Sequence, residues 1–148
     1  MTNNEIMVAR EDVASVNMLD MLKNTDSAFM STIVDDGTRE SKVAIYNAVN
    51  GDGENLSDHI GKVINVENYV AHPVSLVDPK TGEVTEALRI VLVTTEGECY
   101  ASVSTGVLSS LQKICGIMGA APWTGGNPMK ATKVKTRSGY ETITLTLV

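Results

Sequence analysis

A single amphipathic helix pattern interrupts a series of strand patterns in the last two thirds of the sequence, and this order constrains the fold most. Over residues 107–118, apolar side chains recur at the spacing of one helix face. Gly119 and Pro122 follow and prevent the helix from continuing. Ser104 or Thr105 is suited to cap its start. The sequence therefore predicts one helix between two groups of strands.

Five strand patterns surround this helix, three before it and two after it: 61–70, 87–95, 98–103, 129–137 and 140–148. Glycine-containing turns separate neighbouring strands, as at Asp78–Gly82, Glu96-Gly97 and Ser138-Gly139. Three strands, a helix and two strands is the order of a five-stranded OB-type barrel, in which the helix closes one end. We therefore predict a mainly β fold, with a five-stranded OB-type barrel whose helix lies between strands 3 and 4.

The residues before this barrel predict an N-terminal extension. Residues 12–23 carry apolar side chains at mixed helical spacing and predict a short helix. Segments 28–34 and 42–49 are rich in strand formers and flank the turn 35–38, which predicts a β-hairpin. We thus expect one globular unit in two parts: a helix and β-hairpin extension at residues 1–55, packed on the barrel, and an OB-fold domain at residues 56–148.

Charge is distributed unevenly along the chain. The net charge is -6, and the first 59 residues hold eleven acidic and four basic side chains. From Ser104 onward there are five basic side chains and only one acidic residue, Glu141. A positive surface for a polyanion is therefore expected in the C-terminal third of the chain.

Basic residues in two strand patterns are candidate phosphate contacts. Lys133, Lys135 and Arg137 recur at every second position, so a pleated strand would hold all three on one face. The alternative is a strand face that is merely solvated. Arg89 lies within an otherwise apolar run, where a cation faces either a groove or a paired carboxylate. We take these four residues as candidate DNA-binding residues.

Four aromatic residues are candidate stacking platforms for unpaired bases. Tyr69, Tyr100 and Tyr140 lie in strand patterns at positions with polar neighbours. Aromatic rings on a polar face beside cations suit sequence-tolerant binding, because every base has a face on which a ring can stack. Each tyrosine could instead be half-buried, with its hydroxyl reaching water. Trp123 either stacks on a base or packs over the end of the helix and closes the barrel.

The sequence lacks the usual patterns of catalysis and cofactor binding. His59 and His72 are its only histidines, Cys99 and Cys115 its only cysteines, and none of them stands at a zinc-binding spacing. No phosphate-binding glycine loop occurs. We therefore expect a protein that is not an enzyme and has no metal or other cofactor. No run is apolar enough for a membrane span, and the chain is interpreted as cytoplasmic, without a membrane partner.

Several short segments together resemble a known family: Leu56–Val66, Thr81–Glu83, Ala87–Leu92, Tyr100–Val107 and Ala121–Trp123. They are similar to segments of single-stranded-DNA-binding proteins from phages and conjugative plasmids of Gram-positive bacteria. The resemblance implies an OB fold, coating of unwound DNA during replication or transfer, and no cofactor. It also implies that an N-terminal extension can join subunits, so self-association is expected there.

Three functional hypotheses follow from these observations. The first is sequence-tolerant binding of single-stranded DNA, with the four aromatic residues as stacking platforms and the four cations on phosphates. The second is a structural or protein-binding β-barrel, such as a phage assembly component, in which the basic strand only solubilises the surface. The third is a small enzyme with an unrecognised site, which the shortage of histidines disfavours.

Overall fold

A computed structural model describes residues 29–50 and 53–148. Its helices and strands, in chain order, are β1 (Met30–Ser31), α1 (Arg39–Val49), β2 (Glu54–Asn55), a 3-10 helix (Leu56–His59), β3 (Val63–Val77), β4 (Val84–Thr94), β5 (Cys99–Ser102), α2 (Thr105–Met118), β6 (Asn127–Lys135) and β7 (Glu141–Leu147). The short helix predicted over residues 12–23 lies outside the described residues.

All seven of these strands belong to one curled sheet. Its order is β2-β5-β4-β3-β6-β7, and β1 pairs with β3. The central strand, β3, runs antiparallel to β4 over most of its length and antiparallel to β6 over Val63–Val66. Within the described residues, no backbone ladder joins β5 to β7, so the sheet forms a mainly β half-barrel with two helices.

Helix α2, rather than a backbone ladder, covers the edge of β7. The Ser104 hydroxyl accepts a hydrogen bond from the backbone N–H of Ile143 at 3.0 Å. One and a half turns later, the Ser110 hydroxyl accepts one from the N–H of Leu145, also at 3.0 Å. Gly106 lies so close to β7 that a Cβ atom there would overlap the carbonyl oxygen of Ile143. Two edge donors of β7 are thereby satisfied by side chains of the helix region.

The sheet is buried on both faces where β3, β4 and β5 lie side by side. On the inner face, α2 contributes Val107, Leu111 and Ile114 to the main core. On the outer face, Ala48 of α1 packs with a second cluster of small apolar residues: Val70, Val91, Val93 and Ala101. This double cover explains why β4 is apolar at consecutive positions instead of alternating.

The predicted β-hairpin of the extension is wrong, because its second strand, 42–49, is part of α1. Before the helix, Asp35 and Asp36 accept backbone hydrogen bonds from Gly37 and Thr38, both at 3.0 Å, which shapes a capping turn and not a hairpin turn. The Thr38 hydroxyl then accepts from the N–H of Ser41 as an N-cap. The β-branched residues that suggested a strand are overridden by this cap and by packing of the helix on the sheet.

Candidate nucleic-acid interface

Beyond the body of the sheet, β6 and β7 form a protruding two-stranded arm. β6 pairs with β3 only as far as Lys130, Ala131 still accepts a backbone hydrogen bond from Gly61, and from Thr132 to Lys135 the described strand partner of β6 is β7 alone. Every residue from 133 to 141 is exposed. We call residues 132–142 the basic arm, because it carries three of the predicted cations.

Lys133 and Lys135 lie on one face of the basic arm, as the strand alternation predicts. Both follow the buried residues Met129 and Ala131 on the same side of β6, past the point where the core ends. Arg137 comes after the end of β6, in the connection to β7. Among the described residues, the basic side chains within salt-bridge distance of a carboxylate are Lys42, beside Asp35, and His59, beside Glu54. All three cations of the arm are therefore available to an anionic ligand.

Tyr140 stands at the tip of the same arm. Its side chain is 74% exposed, and its carbonyl oxygen accepts from the N–H of Thr136 at 2.7 Å. The register of the ladder puts Tyr140 on the side of Thr136 and Thr142, opposite the face of the two lysines. An extended ligand that crosses the tip can therefore meet the ring on one side and ammonium groups on the other.

An open cleft of about 620 Å³ lies between the end of β5 and the basic arm. Hydroxyl side chains dominate its lining, together with Tyr140: Ser57, Ser102, Ser104, Thr105, Thr136, Ser138 and Thr142. Hydroxyl groups both donate and accept hydrogen bonds, so such a surface can meet polar edges of many shapes. The sequence reasoning missed this cleft, because its lining residues come from separate segments of the chain.

Tyr69 and Trp123 lie in the core and do not present a ring to solvent. Tyr69 is 7% exposed, its hydroxyl oxygen lies 3.2 Å from Cys115 Sγ, and burial together with this contact raises its pKa far above the ordinary value. The Trp123 indole donates to the carbonyl oxygen of Gly119 at 2.9 Å, and its ring centroid lies 5.8 Å from that of Tyr69. The structure thus places the Trp123 ring over the end of α2.

A register shift explains why Tyr69 faces inward. The ladder between β3 and β4 is irregular between Val66 and Asn68. Strict alternation from Ile64 and Val66 would put Tyr69 on the opposite face of the sheet. β3 has one more residue than β4 between these ladder pairs, however, and this bulge returns Tyr69 to the inner face. As a result, Ile64, Val66 and Tyr69 all belong to the main core.

Tyr100 is also buried, with only 2% of its surface exposed. Its hydroxyl accepts a hydrogen bond from Lys62 Nζ at 3.0 Å, and the ammonium group lies 5.3 Å from the ring centroid. The hydrogen bond to Tyr100 is the main cause that raises the pKa of Lys62. The His59 ring packs edge-on at 5.1 Å. Sequence reasoning missed both partners, since neither lies near Tyr100 in the chain.

Arg89 has a partner that the sequence did not suggest. It stands directly opposite His72 in the ladder between β3 and β4, and its Nη1 donates to His72 Nε2 at 3.2 Å. Burial, and then the positive charge of Arg89, lower the pKa of His72. Arg89 is half-buried on the outer face of the sheet, the face that α1 covers. Among the described residues, no carboxylate forms an ion pair with Arg89.

The eight predicted site residues thus separate into two sets. The basic arm carries Lys133, Lys135, Arg137 and Tyr140, with the two lysines on one face and the Tyr140 ring on the other, whereas Tyr69, Tyr100, Trp123 and Arg89 lie in or against the packed sheet. Among the described residues, no three His, Cys, Asp or Glu side chains are grouped so as to hold a metal ion. In the same part of the chain, no helix has the length and apolar character to cross a membrane.

Comparison with known proteins gives one family. Residues 23–148 match a protein-family model described as "Phage Single-stranded DNA-binding protein". No curated protein and no solved structure matches the chain significantly. The matched range includes all the described strands, α1, α2 and the basic arm, and it covers most of the sequence. The chain therefore belongs to the family of phage single-stranded DNA-binding proteins.

Proposed function

We propose that this protein binds single-stranded DNA without sequence preference through the basic arm, and coats unwound DNA during replication or transfer of a phage or plasmid genome. Family membership supports the ligand class. The observation that supports this site most is that three cations without ion-pair partners in the described residues share one exposed hairpin with Tyr140.

The chemistry of the arm suits a flexible, charged ligand. Lysine and arginine side chains reach phosphates along a backbone of any sequence, and this contact releases bound counterions. A tyrosine ring stacks on any of the four bases. The hydroxyl-lined cleft beside Tyr140 then offers donors and acceptors to the base edges, without a fixed pattern that would select one base.

For the other four candidates we propose packing roles. Tyr69 and Trp123 fill the core beneath α2, and Tyr100 fills it beside Lys62. Arg89 donates to His72 on the outer face of the sheet. Their substitution should alter stability more than the affinity for DNA.

The fold proposal follows from the order of the long strands. We propose that β3 to β7 form an OB-type barrel with α2 between its third and fourth strands, in which the hydroxyl contacts of α2 stand where a β5–β7 ladder would close the barrel. Residues 1–55 are proposed as an extension that packs on it, and as a region that joins subunits. The packing of α1 on the outer face supports the first of these two roles.

Binding of fluorescent oligo-dT, measured by anisotropy over a range of salt concentrations, tests the site. For single strands, each phosphate contact contributes about 0.7 to the slope of log affinity against log salt. Lys133→Gln, Lys135→Gln and Arg137→Gln should each reduce this slope by about that amount. Lys113→Gln, an exposed cation on α2, is the matched control and should leave the slope unchanged.

The aromatic contact has its own variant pair. Tyr140→Ala should weaken oligo-dT binding by roughly 1–3 kcal/mol, which is typical of one lost base stack. Tyr140→Phe keeps the ring and should therefore keep the native affinity. Tyr46→Ala removes a tyrosine of similar exposure, 64%, on α1 and should have no effect. If the Gln variants of Lys133, Lys135 and Arg137 and the Tyr140→Ala variant all keep the native affinity and salt slope, the DNA-binding site lies elsewhere on the molecule.

A further inference from the structure

A second arm protrudes from the sheet, between β3 and β4. Residues 75–86 are all exposed, and we call them the acidic arm. It carries Asp78, Glu83 and Glu86 against a single cation, Lys80. Its net charge is therefore opposite to that of the basic arm.

The acidic arm also exposes apolar strand residues. Val77 and Val84 stand directly opposite each other in the ladder and are 62% and 60% exposed, and Leu76 beside them is 41% exposed. A two-stranded hairpin without further cover is only marginally stable in water. Paired apolar side chains on such a hairpin are typical of a surface that another molecule covers.

The two arms leave the sheet at opposite ends of β3. β6 pairs with β3 from Val66 back to Val63, so the basic arm continues past the start of β3. The acidic arm continues past the other end, where β3 and β4 run out beyond the core. With 15 residues, β3 spans about 50 Å, so the arms of one chain are held apart.

We infer that the acidic arm of one copy docks on the basic arm of the next copy. The Glu86 carboxylate and, at the tip, that of Glu83 would meet Lys133 and Lys135. Val77 and Val84, which share a face with Glu86, would pack against the aliphatic stems of these lysines. Because the contact joins two different surfaces, each copy still has one unused arm at either end, so further copies can add head to tail into a row. It is a contact separate from the N-terminal extension.

Charge exchange tests this contact. In sedimentation velocity runs at low salt, the native full-length chain should show a weight-average mass that rises with concentration and falls with added salt. The acidic-arm variant Glu83→Lys/Glu86→Lys should lose this behaviour, and so should the basic-arm variant Lys133→Glu/Lys135→Glu. Mixed in equal amounts, the two variants have complementary arms again and should recover it.

The control reverses two acidic charges outside the arm, Asp58→Lys/Glu96→Lys, and should assemble like the native chain. The inference is overturned if the native chain shows no concentration dependence at low salt, or if the mixed variants fail to recover assembly. Recovery on mixing also shows that both variants are folded, so misfolding cannot imitate the expected result.

One consequence of this contact rests on the proposed function: the acidic arm and DNA compete for the same cations, so oligo-dT should dissociate the rows. Rows that persist when oligo-dT saturates the basic arm would overturn the docking position. The acidic-arm variant should bind oligo-dT at least as tightly as the native chain, because it has lost the competing carboxylates. A chain that assembles but does not bind oligo-dT would refute the proposed function and leave the contact between the arms standing.

Discussion

Two glycines of α2 should respond in opposite ways to the same substitution. Gly106 lies in the first turn of the helix, against β7, and Gly116 lies near its end, facing open space. Replacing a helical glycine by alanine ordinarily stabilises by about 0.5–1 kcal/mol, because the backbone loses less freedom on folding. Gly116→Ala should show this gain, since no atom beyond the chain neighbours and the backbone of α2 itself lies within 4 Å of the new methyl group.

At Gly106 the steric cost of the added methyl group should exceed the gain in helix propensity. A Cβ atom there would lie 2.6 Å from Thr142 Oγ1 and would overlap the carbonyl oxygen of Ile143. The hydroxyl can rotate away, but the carbonyl belongs to β7 and moves only with the strand. Forcing an extra carbon into such a packed contact costs about 1–3 kcal/mol. After subtraction of the propensity gain, Gly106→Ala should be destabilising by up to about 2 kcal/mol.

Thermal unfolding followed by circular dichroism provides the measurement. The melting temperatures of the two variants should differ by roughly 5–10 °C, with Gly116→Ala above the native chain and Gly106→Ala below it. If Gly106→Ala melts at or above the native temperature, the first turn of α2 does not lie against β7 and the closure of the half-barrel described above is incorrect.

Three further results are expected. Ser110→Ala should lower the free energy of unfolding by about 1–2 kcal/mol in urea, because the N–H of buried Leu145 loses its acceptor; an unchanged midpoint would contradict that bond. Burial and Arg89 lower the pKa of His72, so the folded state disfavours its protonation, and the free energy of unfolding should fall as the pH drops below about 6.5. His72→Gln should flatten this part of the stability profile, and a variant profile equal to the native one would show that His72 is not the cause of the fall. Emission of Trp123 should be blue-shifted and barely quenched by oligo-dT, whereas strong quenching would indicate that the indole reaches DNA.

The sequence predicted best those elements whose pattern is local. The apolar stripe of α2 and the turns at Asp78–Gly82 and Glu96-Gly97 stand where the spacing and the glycines indicated. The alternation of lysines on β6 was likewise readable, because a regular strand keeps its phase. These features depend on neighbours a few residues away.

What the sequence did not predict depends on distant contacts. The phase of β3 changes at the irregularity after Val66, and no composition signal marks that position, so Tyr69 was expected on the wrong face. Tyr100 has polar neighbours in the chain, yet its ring is buried, and its hydroxyl reaches Lys62, which is distant in the sequence. The segment 42–49 has strand-like composition, but it is helical because Thr38 caps the start of α1 and because the helix packs on the outer face of the sheet.

The placement of α1 has a consequence for any attempt to trim the protein. A fragment starting at residue 56 would keep β3 to β7 but would leave Val70, Val91 and Val93 facing water, together with the edge of β5 that β2 occupies. Such a fragment would expose an apolar surface next to a strand edge with unpaired backbone groups, and both features promote aggregation. A shortened protein for expression should therefore begin before α1, even though β3 to β7 have the strand order of a complete domain.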